Sequence, residues 1–296
     1  MIVVMRPHRT SCVLALAASL LAVLAAGASA PRPDDRELLD ELLEAHNRER
    51  AKAKLPPLKA NKQLEAAALA QAKDMAEHEK LTHEGSDGST PALRVKRQGY
   101  GYLRTGENVA DGQKTVDGVM ATWMESKPHR ENILGDYTEM GAARAIAEDG
   151  TPYWCVDLGK PWAKSDPDKA AAELVEAMNK ARAAAKKAPM KADAKLAEVA
   201  RRHARDMAEK NKFLTEDSDG VTPFDRIKKM GLRYAETGQS DLAGQSTPDD
   251  VVETWLASAE HKGRLLGNYS RIGVGYATAK DGMPYWSVIF ARPFRR

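Results

Sequence analysis

Cysteine is nearly absent: the 296 residues hold two, Cys12 and Cys155. Cys12 precedes an apolar run that reads as an export signal, so one thiol remains in the body of the chain. One thiol cannot form an internal disulfide, which excludes a disulfide-stapled fold and leaves stability to ordinary cores. Cys155 lies in the apolar stretch Tyr153 to Val156 and reads as a buried, inert thiol. A surplus of charge is also missing. The formal net charge is +3, and loss of Arg6 and Arg9 with the leading segment lowers it to near neutrality. No basic stripe interleaved with aromatics occurs, which argues against nucleic acid as a partner. The stretch Arg182 to Lys187 reads as a solvated helix end. Nucleophile motifs are lacking too: the chain has no Gly-x-Ser-x-Gly, no His-Glu-x-x-His and no cysteine–histidine motif.

Residues 1–30 carry the pattern of a signal peptide. Arg6 and Arg9 come first, then the apolar run Val13 to Ala26, then small residues Ala28-Ser29-Ala30. The run is short for a membrane span. The expected location is secreted or periplasmic, with membrane contact only in transit.

What the rest of the chain contains is one domain written twice. A constant offset of 132 positions relates Pro57 to Pro189, Met75 to Met207, Trp123 to Trp255 and His129 to His261. The same offset relates Thr90-Pro91 to Thr222-Pro223 and Tyr153-Trp154 to Tyr285-Trp286. The organisation expected is a first domain over 31–162, a linker over 163–169 and a second domain over 170–296.

Each copy predicts the same elements. Leu38, Leu39, Leu42, Leu43 and His46 recur at helical spacing over 36–53. A second helix follows Asn61, a good cap, with Leu64, Ala67, Ala68 and Met75 on one face. Thr90-Pro91 opens a short helix, because threonine caps and proline loses no bond in the first turn. Residues 105–109 read as a short extended piece. Thr115 caps a helix through Trp123, and Ser126 is placed to cap the next turn. Asp149-Gly150 and Asp281-Gly282 lie between apolar runs, the signal of a tight hairpin. Helices followed by an antiparallel sheet imply an α+β class.

Several motifs then stand in a fixed order: Ala45-His46-Asn47-Arg48-Glu49-Arg50, His83, Gly106-Glu107-Asn108-Val109-Ala110, and Trp123-Met124-Glu125-Ser126 through His129 to Leu134. Together they resemble the CAP superfamily, the SCP domain of cysteine-rich secretory proteins, antigen 5 and plant pathogenesis-related proteins. The form is bacterial, without the cysteines of the eukaryotic members. The resemblance implies two tandem three-layer α-β-α sandwiches. It also implies a cleft lined by His83, His129 and Glu107. Glu125 is the candidate second acid; many eukaryotic members carry theirs one position later, where Ser126 stands here. In the second copy the counterparts are Thr215, Gln239, Ala257 and His261, so that cleft is degenerate.

Two imidazoles and a carboxylate suit a divalent metal such as zinc. The same groups also make a self-contained polar network. Glu107 and Glu125 are the catalytic candidates if a water is activated for hydrolysis. A binding or interaction module is the favoured reading, with a protein, lipid or cell-envelope ligand as partner. A groove beside the cleft with Tyr100, Tyr102 and Met124 is the candidate lipid site; the same residues also read as core.

Overall fold

The structure is a computed structural model and describes residues 33–294. The expected signal segment lies outside them. No helix among the described residues is long and apolar enough to cross a membrane.

The first repeat runs α1 (Pro33–Lys52), β1 (Lys59–Ala60), α2 (Lys62–Glu77), α3 (Pro91–Arg97), β2 (Tyr102–Asp111), α4 (Val116–Glu125), α5 (Lys127–Ile133), β3 (Glu139–Ile146) and β4 (Pro152–Pro161). The second runs α6 (Pro167–Ala184), β5 (Lys191–Ala192), α7 (Ala194–Lys210), α8 (Pro223–Lys229), β6 (Glu236–Ala243), α9 (Pro248–Ala257), α10 (Ala259–Leu265), β7 (Arg271–Thr278) and β8 (Pro284–Arg292). Each repeat folds round one four-stranded sheet, ordered β1-β3-β4-β2 and β5-β7-β8-β6.

Period-two alternation along the strands separates the two faces of each sheet. On β4, Trp154, Val156 and Leu158 join α1, α4 and α5 in one core, against Leu42, Val119, Trp123 and Ile133. Tyr153 and Cys155 point the other way, onto Ala68, Ala72 and Met75 of α2. The result is the expected α-β-α sandwich. Helix α2 lies very close on the sheet. A Cβ at Gly141 would come within 1.9 Å of the Glu65 amide nitrogen, and the matching Gly273 meets Leu196 as tightly. The hairpin turn also needs glycine: Gly150 has φ +86°.

Several local expectations hold. Asn61 accepts from the amides of Gln63 and Leu64, Thr90 from Leu93, and Thr115 from Gly118. Three expectations need correction. Ser126 stands at the N-cap of α5 without a side-chain capping bond. The extended piece is a ten-residue strand, because β4 pairs with β2 along its length. Arg182 is not solvated: it is buried and donates to the carbonyls of Ala188, Leu265, Gly267 and Tyr269. Its counterpart Arg50 does the same for Pro56, Ile133, Gly135 and Tyr137 at 2.8–3.0 Å. Asn47, in the same motif, exchanges two bonds with the backbone of Leu58. The first motif is therefore largely scaffold. His46 belongs to it as well. It is fully buried edge-on to Trp123, and burial pushes its imidazole down to about 4.

Candidate functional site

Strand β2 is the outer strand of its sheet. An outer strand lets both helical layers approach its side chains from around the edge. His83, in the loop between α2 and α3, reaches Glu107 on β2 from one side. His129, in α5, approaches from the other; Asn108 of β2 holds its carbonyl at 3.1 Å. Asn132 of α5 closes the edge by donating to the Glu107 carbonyl at 3.1 Å and to Asn108 Oδ1 at 2.9 Å.

Glu107 is the hub. Its carboxylate is almost wholly buried, yet every partner is in place. His83 Nδ1 lies 2.8 Å from Oε1, and Arg94 Nη2 lies 2.6 Å from Oε2. Arg94, itself buried, also donates to the carbonyls of Ser89 and His83. The Cys155 thiol donates to Oε2 at 3.5 Å. Directly across the ladder, Glu107 pairs with Asp157 of β4. Both Asp157 oxygens are buried without a hydrogen-bond partner.

Two carboxyl groups so close in a dry interior do not ionise together. Burial holds Asp157 well above the ordinary carboxylate range; Glu107 pushes the same way and Arg94 opposes. Burial also raises the Cys155 thiol, with Glu107 adding to it. Asp157 thus keeps its proton and Cys155 stays a thiol. A carboxyl whose folded pKa exceeds its unfolded one makes the protein less stable as pH rises from the unfolded value to the folded one. Asp157→Asn removes that loss. The variant is expected to match the parent at about pH 4 and to exceed it at about pH 8 in urea midpoint for the first repeat. Equal pH slopes in the two proteins would place the effect elsewhere.

His83 and His129 are close enough to interact. Burial lowers the His129 pKa, and the His83 charge lowers it further. His129 Nδ1 is buried without a partner, while about half of the His83 side chain is exposed. The fourth named residue, Glu125, ends α4 exposed. Its carboxylate makes no hydrogen bond or ion pair among the described residues, and only its carbonyl receives a donor, Arg130.

Two donor sets therefore share Glu107. Spacing makes Glu107, Cys155 and Asp157 a possible metal-binding group, with one ligand atom from each within 4.8 Å of the others. Its chemistry resists a cation, because two of the three keep their protons and Arg94 already neutralises the third. The imidazoles fit better. His83 with Nδ1 fixed by a carboxylate has the outer support usual for a metal-ligating histidine.

Sequence reasoning missed Arg94, Cys155 as a site member, and Asp157. A signal was present, since the second repeat changes the whole set except the arginine. Gln239, Ser287 and Ile289 stand for Glu107, Cys155 and Asp157, while Arg226 stands for Arg94. The named counterparts there make no bond to one another among the described residues. Thr215 and Ala257 are exposed, Gln239 donates to Asp241 at 2.5 Å, and His261 faces Ser240 at 3.0 Å.

The fold defines a duplicated α-β-α sandwich protein, with a His83–Glu107–Arg94 cluster on the edge strand of the first repeat. Comparison makes the assignment. The cysteine-rich secretory protein family model, CAP, matches residues 43–158 and again 175–290. The chain belongs to the CAP family, with two domains in tandem. The Bacillus subtilis (strain 168) protein YkwD is 35% identical over 105 residues, covering 35% of this chain and 41% of YkwD. The chain thus matches under half the length of that relative. Among solved structures, an outer surface protein from Borrelia burgdorferi is 27% identical, over 41% of this chain and 90% of its own, with TM-score 0.38. Na-ASP-1 is 9% identical over 90% of this chain and 91% of its own, with TM-score 0.47.

Proposed function

We propose that this is an exported ligand-binding module whose first repeat does the binding, with His83 and His129 holding a divalent cation such as zinc. The observation that carries this reading is the His83–Glu107 bond. It fixes Nδ1 inward and leaves Nε2 of a half-exposed ring for a ligand. A neutral His129 is ready to bind at ordinary pH, since its pKa is lowered. A bound cation supplies a Lewis acid and a polarised water. The protein's own part is to orient the rings, with Arg94 fixing the Glu107 carboxylate against His83. The chain shows no nucleophile motif, so binding is preferred to hydrolysis. The envelope ligand or protein partner would be met outside the cytoplasm, as the leading segment suggests.

A lipid groove built on Tyr100 and Met124 together is not supported. Tyr100 is core, packed on Leu64, Ala67 and Val95 and donating to Glu139 at 2.7 Å. Met124 packs against the other core, beyond the sheet.

Zinc titration of the 31–296 chain, followed by calorimetry, tests the proposal. One site is expected, with affinity falling at least about tenfold in His83→Ala/His129→Ala, the effect of losing metal ligands or their support. Unchanged binding in the double variant, or none in the parent, would end this reading.

A further inference from the structure

The second repeat is not simply an emptied copy of the first. A cleft of about 860 Å³ lies between α7, α8 and the 217–219 loop, away from His261. The first repeat carries different residues at the matching positions. On α7, Glu198, Arg201, Arg202 and Arg205 stand where the first repeat has Ala66, Leu69, Ala70 and Lys73. Asp217 replaces Gly85, and His203 replaces Gln71.

These replacements make one connected unit. With Gln239 in place of Glu107, Arg226 has lost the carboxylate that its counterpart Arg94 holds. It turns to Asp217 instead, which is buried in the cleft floor. The other Asp217 oxygen lies 2.6 Å from Nδ1 of fully buried His203. His203 Nε2 in turn meets the Leu214 carbonyl at 3.1 Å. Arg202 pairs with Asp219 at 3.3 Å, and Ser218 Oγ donates to Asp206 at 2.6 Å. The loop's acids are therefore committed to fixing two guanidinium groups and the loop itself.

Three cations in the lining remain without an ion pair among the described residues: Arg201, Arg205 and Lys229. Three acids of the lining also lack an ion pair among the described residues: Asp206, which accepts from Ser218, and Glu198 and Glu209, at opposite ends of the α7 stripe, roughly 16 Å apart along the axis. The middle is held by Arg201 and Arg205, one turn apart on the same face. Guanidinium forks at that spacing suit oxyanions, which they bind through paired charge-assisted hydrogen bonds. The volume is far larger than one phosphate needs and falls within the usual range for small-ligand sites.

We infer that the second repeat carries its own binding site, in the α7–α8 cleft, for a polar ligand bearing phosphate or sulfate ester groups, with Arg201 and Arg205 as its principal contacts. The second repeat then has exchanged one kind of site for another.

The test uses the 31–296 chain and inorganic pyrophosphate as probe, at low salt, with amide chemical shifts as readout. Saturable shifts confined to α7, α8 and the 217–219 loop are expected. The variant Arg201→Leu/Arg202→Ala carries the residues that the first repeat folds with. It is expected to bind at least about tenfold more weakly, the factor for losing one charge-assisted bond. Arg205→Glu, on an exposed position, gives the same loss independently of folding effects, and thermal melting checks both variants. No saturable shifts, or equal affinity in both variants, overturns the site. A sugar phosphate and a sulfated disaccharide then compete for the probe, and the stronger competitor identifies the ester.

Discussion

Replacing Trp255 with alanine is expected to unfold the second repeat while the first stays folded. Trp255 is fully buried between α9 and the sheet, among Leu174, Val251, Leu265 and Val288. Truncating a buried tryptophan leaves a large cavity and costs roughly 3–5 kcal/mol, a large part of a domain's stability. Its indole nitrogen makes no hydrogen bond, whereas Trp123 donates to the Val109 carbonyl at 3.1 Å. The loss at 255 is thus nearly pure packing, and Trp255→Phe should recover much of it. His261→Ala is the control. That ring is half-buried, stacks on Trp255 at 6.0 Å and makes one bond to Ser240. Its removal should cost about 1 kcal/mol. Separate melting transitions by calorimetry read both results. A loss for His261→Ala as large as for Trp255→Ala would make the histidine a structural anchor.

Arg50→Ala is expected to do comparable damage in the first repeat. The guanidinium joins the end of α1 to the turn after α5 through four carbonyl bonds. Burial lowers its pKa from the usual arginine value, with Asp136 opposing, but leaves it charged. Removing it strands these carbonyls at once, at about 1 kcal/mol or more each, so a total of at least about 4 kcal/mol follows. Arg50→Lys should not rescue, because an ammonium cannot span a fork of carbonyls. Urea unfolding of the first repeat provides the check. A midpoint close to the parent's would mean that water replaces the guanidinium there.

The scaffold was legible in the sequence wherever its cause is local. Caps at Asn61, Thr90 and Thr115 need only neighbouring amides. The hairpin at Gly150 needs only a positive φ. The duplicated Trp123 and Trp255 marked the cores. What could not be read depends on partners distant in the chain. The two-residue strand β1 exists because Lys59 and Ala60 pair with Glu139 and Met140. Arg182 looked like a surface charge, since nothing near it in sequence announces the carbonyls it reaches.

The candidate cleft divides the same way. Motif order brought His83, Glu107 and His129 together on paper, and the structure puts a bond between the first two. Asp157 was hidden by register: only strand pairing sets it beside Glu107. Its replacement by Ile289, alongside Gln239 for Glu107, was the available clue. Two acids lost together at one offset point to neighbours in space.

The duplication also amounts to a natural experiment in where a sandwich tolerates an acid inside. In the first repeat the internal acids form a cross-strand pair, Glu107 with Asp157, flanked by Val109 and Cys155. In the second, that pair is Gln239 with Ile289, and the acid moves two residues along the outer strand to Asp241, opposite Ser287. Asp241 is buried, and burial raises its pKa while His203, 3.7 Å away, opposes. Each interior thus keeps a carboxyl whose pKa burial raises, at a different rung of the ladder. Grafting one repeat's polar set onto the other therefore requires moving several rungs together, since any single exchange would leave an acid without its counterweight.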